Sequence, residues 1–382
     1  MERKSNSRDI ILILAASFFF MSCPMMINPI ITGYAGTVGA SADMMGILGG
    51  LMNLCSLVCR PFLGNAVDRI SKYKLSFIGA ACMFAATIGY IVSDGPVLIA
   101  VSRIIHGIGF ASCSISMSTW LSNILPRDRV GSGMGLYGTM NALGMAIAPS
   151  VGVSIYQRFG YRPAFVLALF CSIAIAVIIQ FVRCKGEPEP AAAPVGARLR
   201  VVEVRVLPIA AVIMLFTIPY TATQSFLVNY VEARGLDVAV SMFFPCYALV
   251  LLLMRLGLRN FFDRLPFRVF LFAGAASAAA SLLCMSFMEN SLVMLCASVF
   301  MAGGYGIMCS VCQSTAILLA GDGKRGLANS TYYVGLDLGM TLGPMLGGVL
   351  FGHLELSLFY PALLLTVPLI LAVYFFTMRQ KV

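Results

Sequence analysis

Charged side chains are scarce in this chain of 382 residues. They make up 11% of the sequence, whereas 59% of the residues are hydrophobic and the mean hydropathy is +0.91. An average soluble domain is about 45–50% apolar and about 25% charged. Because a water-soluble surface cannot hide this excess of apolar side chains, the composition excludes a soluble enzyme and predicts a protein whose solvent is lipid.

Histidine is also rare, and this limits the chemistry. The chain holds two histidines, His106 and His353, and no paired acids within a helix, so it lacks the groups that a membrane-embedded enzyme or a His-rich metal site would need. Cys309 and Cys312 have the spacing C-x-x-C but no flanking Cys or His that could complete a zinc site. The sequence therefore predicts neither a metal nor another cofactor, and not an enzyme.

No nucleotide-binding loop of the form G-x-x-x-x-G-K-[ST] occurs in the sequence. Any process that this chain drives would therefore take its energy from a gradient of ions or of small molecules and not from a nucleotide.

What the sequence does contain is a series of long apolar stretches bounded by Gly, Pro and charges. A helix that crosses the bilayer needs about 20 apolar residues, whereas barrel strands need about 9–11 residues of alternating pattern. The stretches have helical length and predict an all-α integral membrane protein with twelve transmembrane helices. They cover residues 10–34, 42–64, 74–93, 96–123, 130–156, 161–183, 206–231, 239–258, 267–288, 290–320, 326–352 and 355–377.

The basic residues are distributed unevenly between the loops. Arg158, Arg162 and Arg234 lie in one set of connections and Arg103 lies within a helix, while the other 22 of the 26 Lys and Arg residues lie in the alternate set. Because cytoplasmic loops carry such an excess, we expect both termini in the cytoplasm and a multi-pass protein of the plasma membrane, of the bacterial inner-membrane type. The net charge of +10 is then a topology signal and not evidence of nucleic-acid binding.

A polar segment rich in Pro and Ala divides the chain at its midpoint. Residues 184–205 are typical of a cytoplasmic linker, so we predict six-helix bundles at 1–183 and 206–382. A shift of 195 residues superimposes similar residues of the two halves. It aligns Arg60, Leu63, Asn65, Asp68 and Arg69 with Arg255, Leu258, Asn260, Asp263 and Arg264, and Tyr137, Gly144, Pro149 and Gly152 with Tyr332, Gly339, Pro344 and Gly347. Two related six-helix halves are typical of parallel-repeat secondary transporters.

Three further motifs carry a family resemblance. The run from Gly64 through Asp68 and Arg69 to Lys74 resembles the loop signature G-x-x-x-D-R-x-G-R-R/K of the major facilitator superfamily. It differs at Ser71, where that family usually has Gly, and in the spacing of the last basic residues. The fourth stretch contains Arg103-x-x-x-Gly107-x-Gly109, which is similar to the R-x-x-x-G-x-G pattern of the same family.

The glycine-proline pattern G-x-x-x-G-P-x-x-G-G is associated in that superfamily with exporters and antiporters. The eleventh stretch carries it complete, and the fifth carries its first nine positions as Gly144-x-x-x-Ala148-Pro149-x-x-Gly152, with Ala148 in place of the second glycine. Gly335, Gly339, Gly343 and Gly347 recur every four residues, so they form one helix face that a neighbouring helix can approach closely.

The resemblance implies the twelve-helix fold of that superfamily, alternating access around a mid-membrane site between the halves, and a monomer in the lipid bilayer that exchanges a small organic molecule for protons. It also implies conformational gating by charges at the inside loops and by the glycine-proline helices. The gating candidates are Arg60, Gly64, Asp68, Arg69, Lys72, Arg255, Asp263, Arg264, Gly144, Pro149, Gly152, Gly339, Gly343, Pro344 and Gly347.

Asp337 is the most informative single residue. It lies eleven residues after position 326, where the eleventh stretch begins, and at 1.5 Å per residue this is ~16 Å into the bilayer. A charge there costs at least ~2.5 kcal/mol, and a low dielectric favours the neutral form of a carboxyl group in general. We therefore predict that Asp337 is the proton carrier or the counter-charge of a cationic substrate; a structural carboxylate bound by Tyr332 or Tyr333 is the alternative.

Arg103 is the other charged residue well inside a stretch. With His106 and Phe110 it lies on one helical face, where it could hold an anionic substrate group or pair with Asp337. His106 is a second candidate for proton coupling. The remaining substrate-binding candidates are polar groups within apolar stretches, which need partners there: Asn28, Tyr220, Gln224, Tyr305 and Gln313.

Three functions stay open at this point. The favoured one is a proton-coupled efflux antiporter, the next is an uptake symporter or facilitator of a small metabolite, and the third is a membrane receptor or scaffold that does not transport. The sequence does not identify the substrate.

Overall fold

The computed structural model describes residues 7–126, 130–187, 202–257, 265–320 and 325–378. Within these ranges it contains helices and no strands. The helices of the first half are α1 (Ser7–Thr37), α2 (Ala42–Arg69), α3 (Lys72–Val92), α4 (Pro96–Ile124), α5 (Val130–Phe159) and α6 (Tyr161–Gln180). Those of the second half are α7 (Leu207–Ala233), α8 (Phe243–Gly257), α9 (Phe267–Ser286), α10 (Ser291–Met301, continued by a π-helical turn at Ala302–Gly306 and by Ile307–Ala320), α11 (Arg325–His353) and α12 (Phe359–Leu364 and Thr366–Thr377).

Every predicted apolar stretch corresponds to one of these helices, so the all-helical membrane architecture is confirmed. Eleven of the described helices are long and apolar enough to cross a bilayer, and the shorter apolar helix Val240–Arg255 occupies the place of the eighth predicted span. Proline begins some of the helices, as at Pro96 of α4, where the missing N–H has no helical partner to lose.

The chain divides into two compact units. The first comprises Met1–Ala40 and Leu51–Val195, and the second comprises Ser41–Gly50 and Gly196–Val382. The first turns of α2 therefore group with the second unit, whereas the predicted halves placed all of α2 in the first. Most of the predicted linker, residues 188–201, lies outside the described residues.

The two units repeat one packing scheme. In the first, α1 packs along α5 and α6, and α3 packs along α4. In the second, α7 packs along α11 and α12, and α9 packs along α10. The contact pattern thus repeats with the same helix order as the 195-residue sequence repeat.

A short segment after α6, residues 182–187, is fixed against the first unit. The Asp9 carboxylate, 3% exposed, accepts hydrogen bonds from the backbone N–H groups of Arg183 (3.2 Å) and Cys184 (3.0 Å). The indole N–H of Trp120 donates to the Cys184 carbonyl at 2.7 Å. Charge-assisted bonds to backbone N–H groups are among the stronger hydrogen bonds, so this segment is anchored where it leaves α6.

Candidate functional site

A buried polar network lies in the core of the first unit and is centred on Arg103. This side chain of α4 is 0% exposed, and its Nη1 donates to Asn28 Oδ1 of α1 at 3.1 Å and to Met52 Sδ of α2 at 3.8 Å. The structure therefore brings together Arg103 and Asn28, which were predicted separately. A guanidinium group carries five N–H donors and no acceptor, so a buried one needs several acceptors around it.

His106 extends the network toward α3. Its Nδ1 lies 3.2 Å from the Tyr90 hydroxyl and its Nε2 lies 4.0 Å from Cys23 Sγ, and the imidazole is 0% exposed. Tyr90 and Cys23 were not among the candidates predicted from the sequence. A phenol within an apolar span needs a partner, and this rule would have selected Tyr90.

Phe110 lies one turn further along α4. Its ring stacks on Phe20 of α1, with centroids 5.1 Å apart and an angle of 26° between the planes. One face of the Phe110 ring is therefore used for packing between α1 and α4.

In the second unit, three tyrosines form a stack. Tyr220 of α7 and Tyr305 have centroids 4.1 Å apart and are nearly parallel at 14°, and Tyr247 of α8 lies 5.3 Å from Tyr220. Each of the three is less than 10% exposed. The structure thus brings together two of the predicted substrate-binding tyrosines, and it adds Tyr247.

The π-helical turn of α10 carries Tyr305. Single π-helical turns within α-helices occur frequently at functional sites. The glycines of this turn are crowded: a Cβ atom on Gly304 would lie 3.1 Å from Ala278 of α9, and one on Gly306 would lie 2.6 Å from the Leu251 side chain of α8. Small residues therefore let the turn fit between α8 and α9.

A second polar group of this unit joins α10 to α11. Gln313 Nε2 donates to Asn329 Oδ1 at 2.9 Å and to the Tyr333 hydroxyl at 3.3 Å, and Gln313 is half-buried. Nearby, the Tyr332 hydroxyl donates to the Cys309 carbonyl at 2.8 Å. Gln224 of α7 is also buried, at 7% exposure.

Asp337 lies in the interior of α11 and is 5% exposed. The hydroxyl group of Thr341, one turn later on the same face, donates a hydrogen bond to the backbone carbonyl of Asp337 at 2.8 Å. Gly348 continues this face, and a Cβ atom there would lie 2.7 Å from Gly46 Cα in the first turns of α2. The side chain of Asp337 thus stays within the protein and on a different face of α11 from the glycines that contact α7.

The glycine face of α11 packs against α7, as its four-residue spacing predicted. A Cβ atom on any of Gly335, Gly339, Gly343 and Gly347 would overlap α7, at Ala210, Thr217, Ile218 and Phe226 respectively. In the first unit, Gly144 and Gly152 of α5 meet α1 at Met21 and Met26. The same small-residue contact therefore joins α5 to α1 and α11 to α7.

The structure places the other gating candidates as follows. Lys72, Pro149 and Pro344 are buried, Arg60 and Gly64 are half-buried, and Arg69 and Arg255 are exposed. Lys72 donates its backbone N–H to the Gly186 carbonyl at 2.9 Å, which joins the start of α3 to the segment after α6. The Asp68 side chain, Asp263 and Arg264 lie outside what the structure describes. Gating roles for these residues stay predictions.

Among the described residues, no group of three or more His, Cys, Asp or Glu side chains could hold a metal ion.

These features define a multi-pass membrane protein in which charged and polar side chains are buried between the helices of each unit. The model of the Major Facilitator Superfamily matches residues 11–322 and 261–381, which together span nearly the whole chain. The chain therefore belongs to the Major Facilitator Superfamily of membrane transporters.

Curated relatives include transporters from distant organisms. The human MFS-type transporter SLC18B1 is 30% identical over 182 residues, which are 45% of this chain and 40% of that protein. The multi-drug resistance efflux pump PmrA homolog of Lactococcus lactis is 25% identical over 187 residues, 48% of this chain and 46% of that protein. The chain thus matches less than half the length of these two relatives. The uncharacterized MFS-type transporter YhhS of Escherichia coli is 23% identical over 368 residues, 90% of this chain and 85% of that protein.

Solved structures share the fold at low sequence identity. A POT family transporter in complex with a thioalcohol-conjugated peptide has a TM-score of 0.82 at 12% identity and covers 98% of this chain and 97% of its own. A peptide transporter POT in complex with alafosfalin has a TM-score of 0.77 at 13% identity, covering 97% and 95% of the two chains.

Proposed function

We propose that this chain is a proton-coupled secondary transporter that exports a small organic molecule by alternating access. The observation that carries the proposal is the Asp337 carboxyl, 5% exposed in the interior of a membrane-spanning helix. An ionisable group at such a depth is costly, and in transporters it marks an ion or substrate pathway. The complete glycine-proline pattern of α11 and the name of the Lactococcus lactis relative support the outward direction.

Coupling in this proposal requires Asp337 to bind a proton in one state and to release it in another. Asp337 lies on a face of α11 away from the close glycine contact with α7. We propose that this helix pair moves as one body while the surroundings of Asp337 change. Arg103, held by Asn28, is the proposed site for an anionic group, and the candidates Tyr220, Gln224, Tyr305 and Gln313 are proposed to contact the substrate in the second unit. An uptake symporter or facilitator is the second candidate within transport.

The sign of a pH change separates these mechanisms. A panel of small organic molecules is first screened for compounds that raise the unfolding temperature of the purified protein. The compound that raises it most, called the panel compound below, is then added outside proteoliposomes that contain a pH-sensitive dye. Antiport requires entry of the compound to drive protons out, so the lumen becomes alkaline; symport makes it acid, and facilitated diffusion leaves it unchanged. Asp337→Asn should abolish the change, whereas Asp94→Asn should retain it because the Asp94 side chain is 90% exposed at the end of α3. Acidification would overturn the export mechanism, and binding without any flux would favour the receptor alternative.

We also propose that both termini lie in the cytoplasm of the cell and that the protein works as a monomer. The distribution of Lys and Arg supports the orientation. Fusion of green fluorescent protein to the C-terminus should give fluorescent cells, and fusion of alkaline phosphatase there should be inactive; the reverse result would overturn the orientation. Light scattering of the purified protein should give the mass of one chain.

A further inference from the structure

The start of α3 and the end of α6 are joined at the surface of the first unit, next to residues 182–187. The two helices pack along each other, and at this end the Tyr73 hydroxyl donates to Gln180 Oε1 at 2.6 Å. The Lys185 ammonium lies 4.1 Å from the centre of the Tyr73 ring. Because α6 has 20 residues and is about 30 Å long, it crosses the hydrocarbon once, and this joint lies at a bilayer surface.

Three basic side chains lie at this joint and form what we call the basic rim: Lys74, Arg183 and Lys185. Lys74 and Arg183 are exposed, and Lys185 is half-buried. The backbone N–H groups of the first two residues of α3 donate to the carbonyls of Gly186 and Lys185, at 2.9 and 3.2 Å. The backbone that carries the three charges is therefore held in one place.

The basic rim carries more charge than its described surroundings neutralise. Lys185 donates two of its three N–H groups to the carbonyls of Ile179 and Gln180, at 3.4 and 2.8 Å, so one N–H can bind an outside acceptor. Among the residues that the structure describes, no carboxylate forms a salt bridge with the basic rim. The exposed acid of this segment, Glu187, supplies one negative charge against three positive ones. The rim therefore attracts an anion.

Apolar side chains are exposed on the same two helices beside the basic rim. The Phe77 ring of α3 stacks on Tyr73, with centroids 6.2 Å apart, and is 41% exposed. At the end of α6, Phe181 is 56% exposed and Val177, one turn earlier, is 49% exposed. We call Phe77, Val177 and Phe181 the apolar lane. On helices that cross a bilayer, such side chains face acyl chains.

We propose that the basic rim and the apolar lane together bind a phospholipid with an anionic headgroup. The headgroup phosphate lies at the basic rim and an acyl chain lies along the apolar lane. Basic pockets between membrane helices on the cytoplasmic side bind anionic headgroups in this way, and the joint lies on the predicted cytoplasmic side. A zwitterionic lipid offers less net charge to the rim, and free phosphate has no chain for the lane. The inference does not depend on which molecule the protein transports.

Native mass spectrometry of the full chain in a non-ionic detergent tests the proposal. It compares phosphatidylglycerol with phosphatidylcholine of identical acyl chains, and we expect the first phosphatidylglycerol to bind with the lower Kd. Each basic residue near an anionic headgroup changes the affinity about fivefold, so Lys74→Gln combined with Arg183→Gln should weaken this binding about 10- to 30-fold. Both side chains are exposed, so the fold should persist. Equal affinity of the wild type for the two lipids would overturn the proposal.

Arg205→Gln combined with Arg268→Gln is the matched control. Both residues are exposed, lie on the same predicted side of the membrane in the second unit, and remove the same net charge. This variant should keep the wild-type Kd for phosphatidylglycerol. An equal loss in the two double variants would mean that the lipid responds to the overall charge of that side, and it would overturn a site at the basic rim.

Two further measurements separate a lipid from a free anion. Phe77→Ala should weaken phosphatidylglycerol binding several-fold, whereas Phe376→Ala, at a phenylalanine that is 88% exposed in the second unit, should not. Inorganic phosphate in large excess should leave the lipid bound. Equal effects of the two alanine variants, or displacement of the lipid by phosphate, would overturn the lipid assignment. None of these measurements uses a transported compound, so failure of the proposed transport function would leave their outcome unchanged.

Discussion

Gly339 of α11 lies directly against Thr217 of α7, and a Cβ atom on the glycine would stand 2.6 Å from Thr217 Cβ. The contact is one of four successive glycine contacts along this helix pair, and the α1–α5 pair of the other unit repeats it. Backbones at this separation gain dispersion contacts that larger residues would prevent, which matters in lipid because no hydrophobic force drives helices together.

Gly339→Ala should therefore destabilise the protein. The added methyl group has no room, and overpacking of this kind costs about 1–3 kcal/mol. Thermal unfolding of the purified variant in detergent should show a clear drop in midpoint. Gly138→Ala is the matched control, because a Cβ atom at Gly138 of α5 would meet nothing within 4 Å. Equal midpoints for the two variants would contradict the close contact.

The positions of the helices and of this glycine face could be predicted from the sequence. Apolar runs of bilayer length and a four-residue glycine spacing are local patterns, and α4, predicted at 96–123, is Pro96–Ile124 in the structure. The contacts of the buried polar groups were not predictable in this way. The Asp9 side chain accepts hydrogen bonds from two residues that follow it by 174 and 175 positions in the sequence. Tyr90 of α3 contacts His106 of α4. Such pairs depend on how the helices pack, which a periodic pattern does not encode.

Asp9→Ala should lower the stability of the first unit. The carboxylate accepts two backbone N–H groups, and hydrogen bonds to charged groups contribute about 1.5–3 kcal/mol each. The variant should unfold at a lower temperature, and trypsin should cleave faster after Lys185, which follows the anchored residues. Asp237→Ala, at an exposed position before α8, is the control and should behave as the wild type. Unchanged cleavage in Asp9→Ala would mean that other contacts suffice to hold the segment.

The tyrosine stack allows packing and substrate binding to be separated. Tyr220→Phe keeps the ring between Tyr305 and Tyr247, whereas Tyr220→Leu removes a stacked aromatic pair that contributes about 0.5–1.5 kcal/mol beyond its buried area. We expect Tyr220→Leu to lower the unfolding temperature and Tyr220→Phe to preserve it. If the Tyr220 hydroxyl contacts the substrate as proposed, Tyr220→Phe should nevertheless lose stabilisation by the panel compound. Full stabilisation of Tyr220→Phe would restrict Tyr220 to packing.

Asp337 allows proton coupling to be separated from substrate movement. A carboxyl that carries the proton is needed for uphill transport, but exchange of labelled for unlabelled compound across the membrane requires no net proton transfer. Asp337→Asn should therefore lose accumulation driven by a pH gradient and keep exchange, because the amide has the same shape and cannot ionise. Asp337→Glu should retain gradient-driven transport at a reduced rate, since it keeps an ionisable group but adds a methylene to a site that is 5% exposed. Both activities are measured in the same proteoliposomes, with and without the gradient. If Asp337→Asn still accumulates the compound against its gradient, the proton is carried elsewhere; if it loses exchange as well, Asp337 binds the substrate itself.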